Sequence, residues 1–367
     1  VNAPAVQSRA DEVLAPATGP RGDALAERLL VIDPATGRLS DRRIADLPEL
    51  LREGDLLVLN DAATLPASLM ATGPMGEPME LRLAHARDDG AWDVALFGDG
   101  DWRTRTEHRP APPVVGVGEA LLLGDDLRAL VEAVSAVSPR LVTVRFSHSG
   151  DAFWRRLYQL GRPVQYAHLH GALALWDVQT PVASRPWAME MPSAGRPLSW
   201  ALLERVKSRG VALATVTHAA GLSSIGDEAL DAGLPWPERS EVPQATVDAV
   251  GRCRARGGRV VAVGTSVVRA LEGRAERSTG DGLLEAGGAV TGLVIGEGFR
   301  PRVVDGVLSG MHEPGSSHFA LLTAFADAAL LHASLRFASS RGYLQHEFGD
   351  SALVLGVSHG LAPRISA

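Results

Sequence analysis

The chain has 367 residues, 46% of them apolar and 22% charged, a globular mixture that excludes disorder and is too long for one small core, favouring two domains or one domain carrying an insertion. A formal charge of -7 repels polyanions from the molecule as a whole, so a nucleic-acid partner would have to meet a locally basic face. The single cysteine, Cys253, excludes an internal disulfide and a cysteine-based zinc site and fits a reducing cytoplasm.

In chain order, VNAPAVQSRADEVLAPATGPRGDA lacks the apolar centre of a secretory signal and reads as a mobile lead-in. ERLLVID (27–33) and DLLVLND (55–61) are β-type runs, with ADLPELLREG between them reading as a short helix. After Pro66 the texture changes. MELRLAH, AWDVALFG, PPVVGVG, EALLLG and RLVTVRF are short strand-like runs separated by Gly, Asp and Pro, the spacing of a small antiparallel barrel or sandwich inserted before about Ser149. From Trp200 helix and strand alternate: Leu202, Leu203 and Val206 share a helical face, Gly210 stops the helix, and VALATVT (211–217) follows as a strand. Pro243, Val247 and Val250, then Gly257-Gly258 and RVVAV (259–263), repeat that unit. The alternation predicts an α/β fold with a mostly parallel sheet, completed by a long helix around 318–339 and a last strand, SALVL (351–355). Asp327, His332 and Arg336 interrupt the most apolar segment, Phe319 to Ala338, so it reads as a helix of the fold and not as a membrane span.

Several stretches carry groups suited to chemistry. In GGRVVAVGTSVVRALE (257–272) a β run ends in Gly264-Thr265-Ser266 and enters a helix containing Arg269. Strand, tight turn and helix start put free amides and two hydroxyls at the carboxyl edge of a sheet, a place for a carboxylate or phosphate; the plainer reading is that Thr265 or Ser266 caps the helix. His312 precedes a capped helix and has an imidazole suited to proton transfer, or to ordering its loop. His218 ends a strand and is followed by small residues that let backbone approach a ligand. MPSAGRPLSW (191–200) joins a loop containing Ser193 and Gly195 to a helix capped by Ser199. Asp350 stands just before the last strand, where a carboxylate commonly forms a turn. Cys253, inside a helix, reads as a quiet thiol. There is no G-x-S-x-G, Walker A, H-E-x-x-H or G-x-G-x-x-G motif, and His168 and His170 lack metal-ligand spacing, so no metal is expected.

Taken in order, RLLVID, DLPELLREGDLLVLND, PSAG, the VTH loop, SEVP (240–243), GGRVVAVGTSVVRALE, VVDGVLSGMHEPGSS and FGDSALVL resemble the S-adenosylmethionine:tRNA ribosyltransferase-isomerases, the family that builds epoxyqueuosine on tRNA. The resemblance runs from about Pro20 to Leu355. It implies an α/β main domain from residues 1–66 and 150–367, with a β-barrel domain inserted at 67–149. It also implies S-adenosylmethionine as substrate and tRNA as partner, in a cytoplasmic enzyme. In the implied reaction the sulfonium acidifies a ribose C-H, a base removes that proton, adenine departs, and an amine on the modified base attacks the ribosyl unit before methionine is lost. His312 and Asp350, with Asp61 in reserve, are the expected proton-transfer groups; Ser193, Gly195, His218, Gly264, Thr265, Ser266 and Arg269 are the expected binding groups.

The chain departs from the family pattern at loop positions. Ala62, Ala63 and Ser68 stand where Thr-Arg and a further Arg are usual, Arg196-Pro197-Leu198-Ser199 replaces Leu-His-Phe-Thr, Trp236 and Pro237 replace Met-His, and Gly315 replaces Lys. Trp176, Asp177 and Glu190, in the distinctive stretch before Gly195, are expected to line the site. The departures keep two other readings open: an enzyme that uses S-adenosylmethionine with a small-molecule acceptor, and a non-catalytic binding protein. For tRNA stand residues 102–162, with nine Arg against six acids, and 252–277, with seven Arg against two. Lys207 is the only lysine, so arginine clusters are weaker evidence for nucleic acid here than usual.

Overall fold

Apolar runs from both ends of the chain pair with runs from its middle to make one sheet. A computed structural model describes residues 13–278 and 284–356, among which the sheet has nine strands. Their order is Gly287–Thr291, Glu238–Val242, Ala212–His218, Leu56–Asn60, Val260–Val263, Gly306–Gly310, Ser351–Leu355, Arg28–Asp33 and Arg38–Arg43. The four strands from Ala212–His218 to Gly306–Gly310 run parallel, as the helix and strand alternation predicts. The sheet as a whole is mixed. Ser351–Leu355 lies antiparallel to Gly306–Gly310 and parallel to Arg28–Asp33, and both edges are antiparallel.

Period-two alternation sends successive side chains of the central strands to opposite faces, and both faces are covered. Leu56, Val58, Val260 and Ala262 pack with Val267 and Leu271 of the helix Thr265–Glu276 and with Leu331 and Leu335 of the helix Ala328–Ser339. Leu57, Leu59, Val261 and Val263 face Leu202, Leu203 and Val206 of the helix Trp200–Ser208. At about 1.5–3 kcal/mol for each such side chain, burial on both faces holds the central strands rigidly in register. What those strands carry at their ends is therefore held just as firmly.

Six strands close into an antiparallel barrel, in the order Leu127–Val134, Leu141–Phe146, Trp92–Phe97, Pro78–Ala86, Ser68–Thr72 and Ala120–Leu123. PPVVGVG forms no strand, because its prolines and glycines carry it across the surface. The alternately buried Leu127–Val134 completes the barrel instead. Buried on the outer face of the strand Pro78–Ala86 lie Glu80 and Arg82, with Arg109 bonded to Glu80 beside them. Burial pushes the Glu80 carboxyl up, but Arg82, Arg109 and Ser68 more than offset it and hold the carboxyl below its ordinary range.

Two further expectations need correction. The long helix at 318–339 is two helices, Ser317–Leu322 and Ala328–Ser339, because Asp327 leaves the helical conformation and caps the second through Leu330 N at 2.7 Å. The lead-in is tied down where it is described: Ala15–Pro16 pairs in parallel with Leu344–Gln345, and Arg21 bonds Asp350 at 2.7 Å. Its first twelve residues lie outside the described residues. No helix among the described residues is long and apolar enough to cross a membrane.

Candidate active site

The parallel strands end together, and the sequence places polar residues at those ends. Asn60 closes its strand and ties two neighbours to it. Its amide donates to His218 O at 2.9 Å and to Ser266 Oγ at 3.2 Å, and its carbonyl accepts from the backbone N-H groups of Ala62 and His218. Gly264 follows Val263 with φ 92° and ψ 155°, a conformation open essentially to glycine alone, and turns the chain directly into the helix Thr265–Glu276. No side chain caps that helix. Thr265 and Ser266 thus stand in its first turn and do not cap it, leaving the first amides without a side-chain acceptor at a positive dipole end. The Ser193–Gly195 turn packs against this place: a Cβ on Gly264 would meet Ala194 at 3.5 Å, and Gly195 lies against Thr180 and Val263. Thr180 Oγ1, buried beside Gly195, has no protein hydrogen-bond partner.

Behind the helix start lies a buried triad. His218 Nε2 meets Glu238 Oε2 at 2.7 Å, Gly221 N donates to Glu238 Oε1 at 2.7 Å, and Arg269 pairs with the same carboxylate. Burial, reinforced by Arg269, lowers the His218 pKa to about 3, so the ring is neutral. A neutral ring bonded to a carboxylate through Nε2 carries its proton there. The lone pair is then on Nδ1, which is buried without a protein partner. Arg269 is fully used: it also donates to the carbonyls of Leu293 at 3.1 Å, Trp236 at 3.2 Å and Thr291 at 3.4 Å, while burial lowers its pKa to about 10. Its charge reaches the site through Glu238 and not by direct contact.

His312 follows the strand Gly306–Gly310 at the same sheet edge. Ser309 Oγ lies 2.6 Å from its Nε2, and its ring stands 4.8 Å from that of His318. Burial, then His318 and His346, hold its pKa well below the ordinary value. Asp350 is beside it along the sheet, since Ser351 pairs with Gly310. Both Asp350 oxygens are engaged, one by Arg21 at 2.7 Å and Arg28 N at 2.9 Å, the other by Leu344 N at 2.8 Å. Asp61 is half-buried and accepts from Thr217 Oγ1 at 2.6 Å. His312 and His218 thus bring ring nitrogens to this edge, both Asp350 oxygens are bonded, and Asp61 accepts at one oxygen from Thr217.

The positions that depart from the family pattern lie in several places. Ala62 pairs with Arg185 in a short parallel bridge, Ser68 bonds Glu80 of the barrel at 2.7 Å, Pro197 is buried behind the Ser193–Gly195 turn, and Gly315 is exposed with φ 90°. Asp177 is spent on its own turn, accepting from Ala174 N at 2.8 Å, and Trp176 is 79% exposed. Glu190 instead forms a cluster with Tyr166 and Ser223, and burial raises its carboxyl pKa. Sequence reasoning missed Glu238 altogether. Its only signal was a carboxylate inside a strand otherwise set for alternation, since its partners His218 and Arg269 lie 20 and 31 residues away. Many arginines of the two basic stretches are paired with acids: Arg103, Arg145 and Arg156 on the barrel side, and Arg254, Arg259, Arg269 and Arg274 on the sheet side. Arg128, Arg155, Arg252, Arg256 and Arg277 are exposed.

Comparison with known proteins accounts for nearly the whole chain. A family model described as "Queuosine biosynthesis protein" matches residues 13–354. A Thermus thermophilus protein named S-adenosylmethionine:tRNA ribosyltransferase-isomerase is 32% identical over 342 residues, covering 90% of this chain and 93% of the relative. An Anaeromyxobacter dehalogenans protein of the same name is 35% identical over 337 residues, 90% of this chain and 92% of the relative. The crystal structure of an S-adenosylmethionine tRNA ribosyltransferase from Thermotoga maritima aligns with a TM-score of 0.51 and 26% identity, covering 95% of this chain and all of that one. With a family model and these relatives each spanning nearly all of it, the chain belongs to the queuosine biosynthesis protein family, that of the S-adenosylmethionine:tRNA ribosyltransferase-isomerases.

Proposed function

We propose that this chain transfers the ribosyl unit of S-adenosylmethionine to 7-aminomethyl-7-deazaguanine in tRNA and isomerises it, in the cytoplasm. Residues 1–66 and 150–367 act as the main domain and 67–149 as the inserted barrel domain. The observation that carries this reading is the amide-lined, uncapped helix start at Gly264-Thr265-Ser266, with two neutral histidines at the same sheet edge. The first-turn amides take the methionine carboxylate, with Ser193, Gly195 and Ser266 beside them. A dry surround suits a reaction that begins by removing a weakly acidic C-H proton, because water would compete for the base and the departing adenine.

In this reading His218 accepts a hydrogen bond from the substrate at Nδ1, with Glu238 fixing its tautomer and Arg269 balancing the carboxylate. His312, held by Ser309 and neutral, is the base that takes the ribose C-H proton and then passes that proton to the leaving adenine. Asp350 holds the strand start and the lead-in around them, and Asp61 orders the loop after Asn60. Exposed Arg128, Arg155, Arg252, Arg256 and Arg277 are the candidates for tRNA phosphate contact.

The test is to incubate the protein with S-adenosylmethionine, with and without tRNA carrying 7-aminomethyl-7-deazaguanine, and to measure adenine and methionine. Release of both that depends on the tRNA supports the proposal. Release that ignores tRNA points to a small-molecule acceptor, and no release in any mixture refutes catalysis of this type.

A further inference from the structure

Three groups outside the histidine pair of the candidate active site converge from distant parts of the chain. His168 lies in the loop after the barrel. His346 and Glu347 lie in the turn between Leu344–Gln345 and the last strand. His168 Nε2 is 2.9 Å from Glu347 Oε2, the His168 and His346 rings stack with centroids 4.3 Å apart, and one ligand atom from each residue lies within 4.8 Å of the others. We propose that His168, His346 and Glu347 form a binding site for a single divalent cation of the zinc class.

The donor set argues for that class. Two imidazoles and one carboxylate suit zinc and its first-row neighbours, whereas magnesium and calcium prefer all-oxygen shells. Bonds of about 2.0–2.2 Å in a tetrahedral shell place ligand atoms about 3.3 Å apart. The widest separation here must close by roughly 1.5 Å, and a turn of the exposed His346 ring supplies that movement. The cation would replace the direct bond between His168 and Glu347 and occupy the space between them.

Backbone geometry points the same way. His346 has φ 68°, the only positive φ at a non-glycine residue among the described residues. That conformation is uncommon outside glycine and is kept where the surrounding structure demands it. Here the turn is closed by Gly349 N donating to His346 O at 2.8 Å, and a Cβ on Gly349 would come within 2.6 Å of Gln345. The strained turn aims His346 and Glu347 together at His168. Supporting contacts exist as well: Tyr166 stacks on His168 at 6.4 Å, and Gln345 donates to Glu313 at 2.6 Å, one residue from His312. Three protein ligands leave a fourth position for water or an oxygen of a bound molecule.

The experiment does not depend on the proposed reaction. Chelator-treated protein is titrated with zinc chloride by calorimetry, and with cobalt(II) to read the visible absorption of a low-symmetry site. The expected result is one ion per chain. His346→Asn keeps a residue that tolerates the left-handed backbone, and it and His168→Gln should each weaken binding about 100-fold or more, as loss of a ligand exceeds the usual cost of losing a ligand's supporting contact. The barrel-surface variant His108→Ala should bind like the parent. Circular dichroism of each ion-free variant checks that it is folded. Binding that needs millimolar zinc, or that survives both ligand substitutions in folded protein, overturns the proposal.

Discussion

Acid should destabilise this protein through His218, by an amount that can be worked out. In the folded chain its pKa is lowered from 6.5 to about 3, by burial and by Arg269. A folded pKa below the unfolded one means that the unfolded chain binds the proton more tightly, so stability is full above about pH 6.5 and drains away as pH falls toward 3. At pH 5 an unfolded histidine is almost fully protonated and the folded one is not. The difference is about 1.5 pH units, or about 2 kcal/mol at 1.36 kcal/mol per unit. This value is set almost wholly by the unfolded pKa and changes little if the folded value is anywhere below 4. His312 and His318 shift in the same direction, so a single variant must isolate the effect. Urea unfolding at pH 8 and pH 5 should therefore show that His218→Gln loses about 2 kcal/mol less between the two pH values than the parent does. Equal losses in the two proteins would mean that His218 is not buried neutral, and the assignment of its lone pair to Nδ1 would fall with it.

Gly264→Ala should cost about 1–3 kcal/mol from backbone conformation alone, because the added Cβ has room but its φ and ψ do not suit it; a shift below 0.5 kcal/mol in urea would refute the described turn. Asp350→Ala should cost about 3 kcal/mol by stranding Arg21 and two backbone amides; a variant as stable as the parent would show that its carboxylate orders nothing. Burial pushes the Cys253 thiol up to about 11, so iodoacetamide should leave it unmodified in native protein and label it in urea. Labelling of native protein at the unfolded rate would contradict that burial.

Local patterns carried much of this fold in plain view. Val260 to Val263 is apolar because both its faces are covered, and Gly264 marks the turn because few other residues adopt its angles. Alternation in Trp92–Phe97 and Leu141–Phe146 announced the barrel. Features that depend on tertiary placement were not legible. Nothing local shows that Asp327 breaks a run of helix formers, since a cap and an interior acid differ only in backbone angles. The site was legible in its turns and histidines, whose identities are set by local chemistry. Its electrostatics were not, because Arg269 reads as a free cation until Glu238 is seen beside it, and Asp350 as a free base until Arg21 and two amides are found on it.

The interleaving of the two chain ends has a consequence for synthesis. Arg28–Asp33 and its hairpin partner Arg38–Arg43 join the sheet only along Ser351–Leu355, which itself joins along Gly306–Gly310. A hairpin made first on the ribosome must wait for the strand made more than three hundred residues later before either gains its neighbour. The barrel, whose strands are consecutive, is complete long before. Until residue 355 emerges, the growing chain holds an open edge at Gly306–Gly310 and an unpaired hairpin, two surfaces that invite association with other chains and call for shielding during translation.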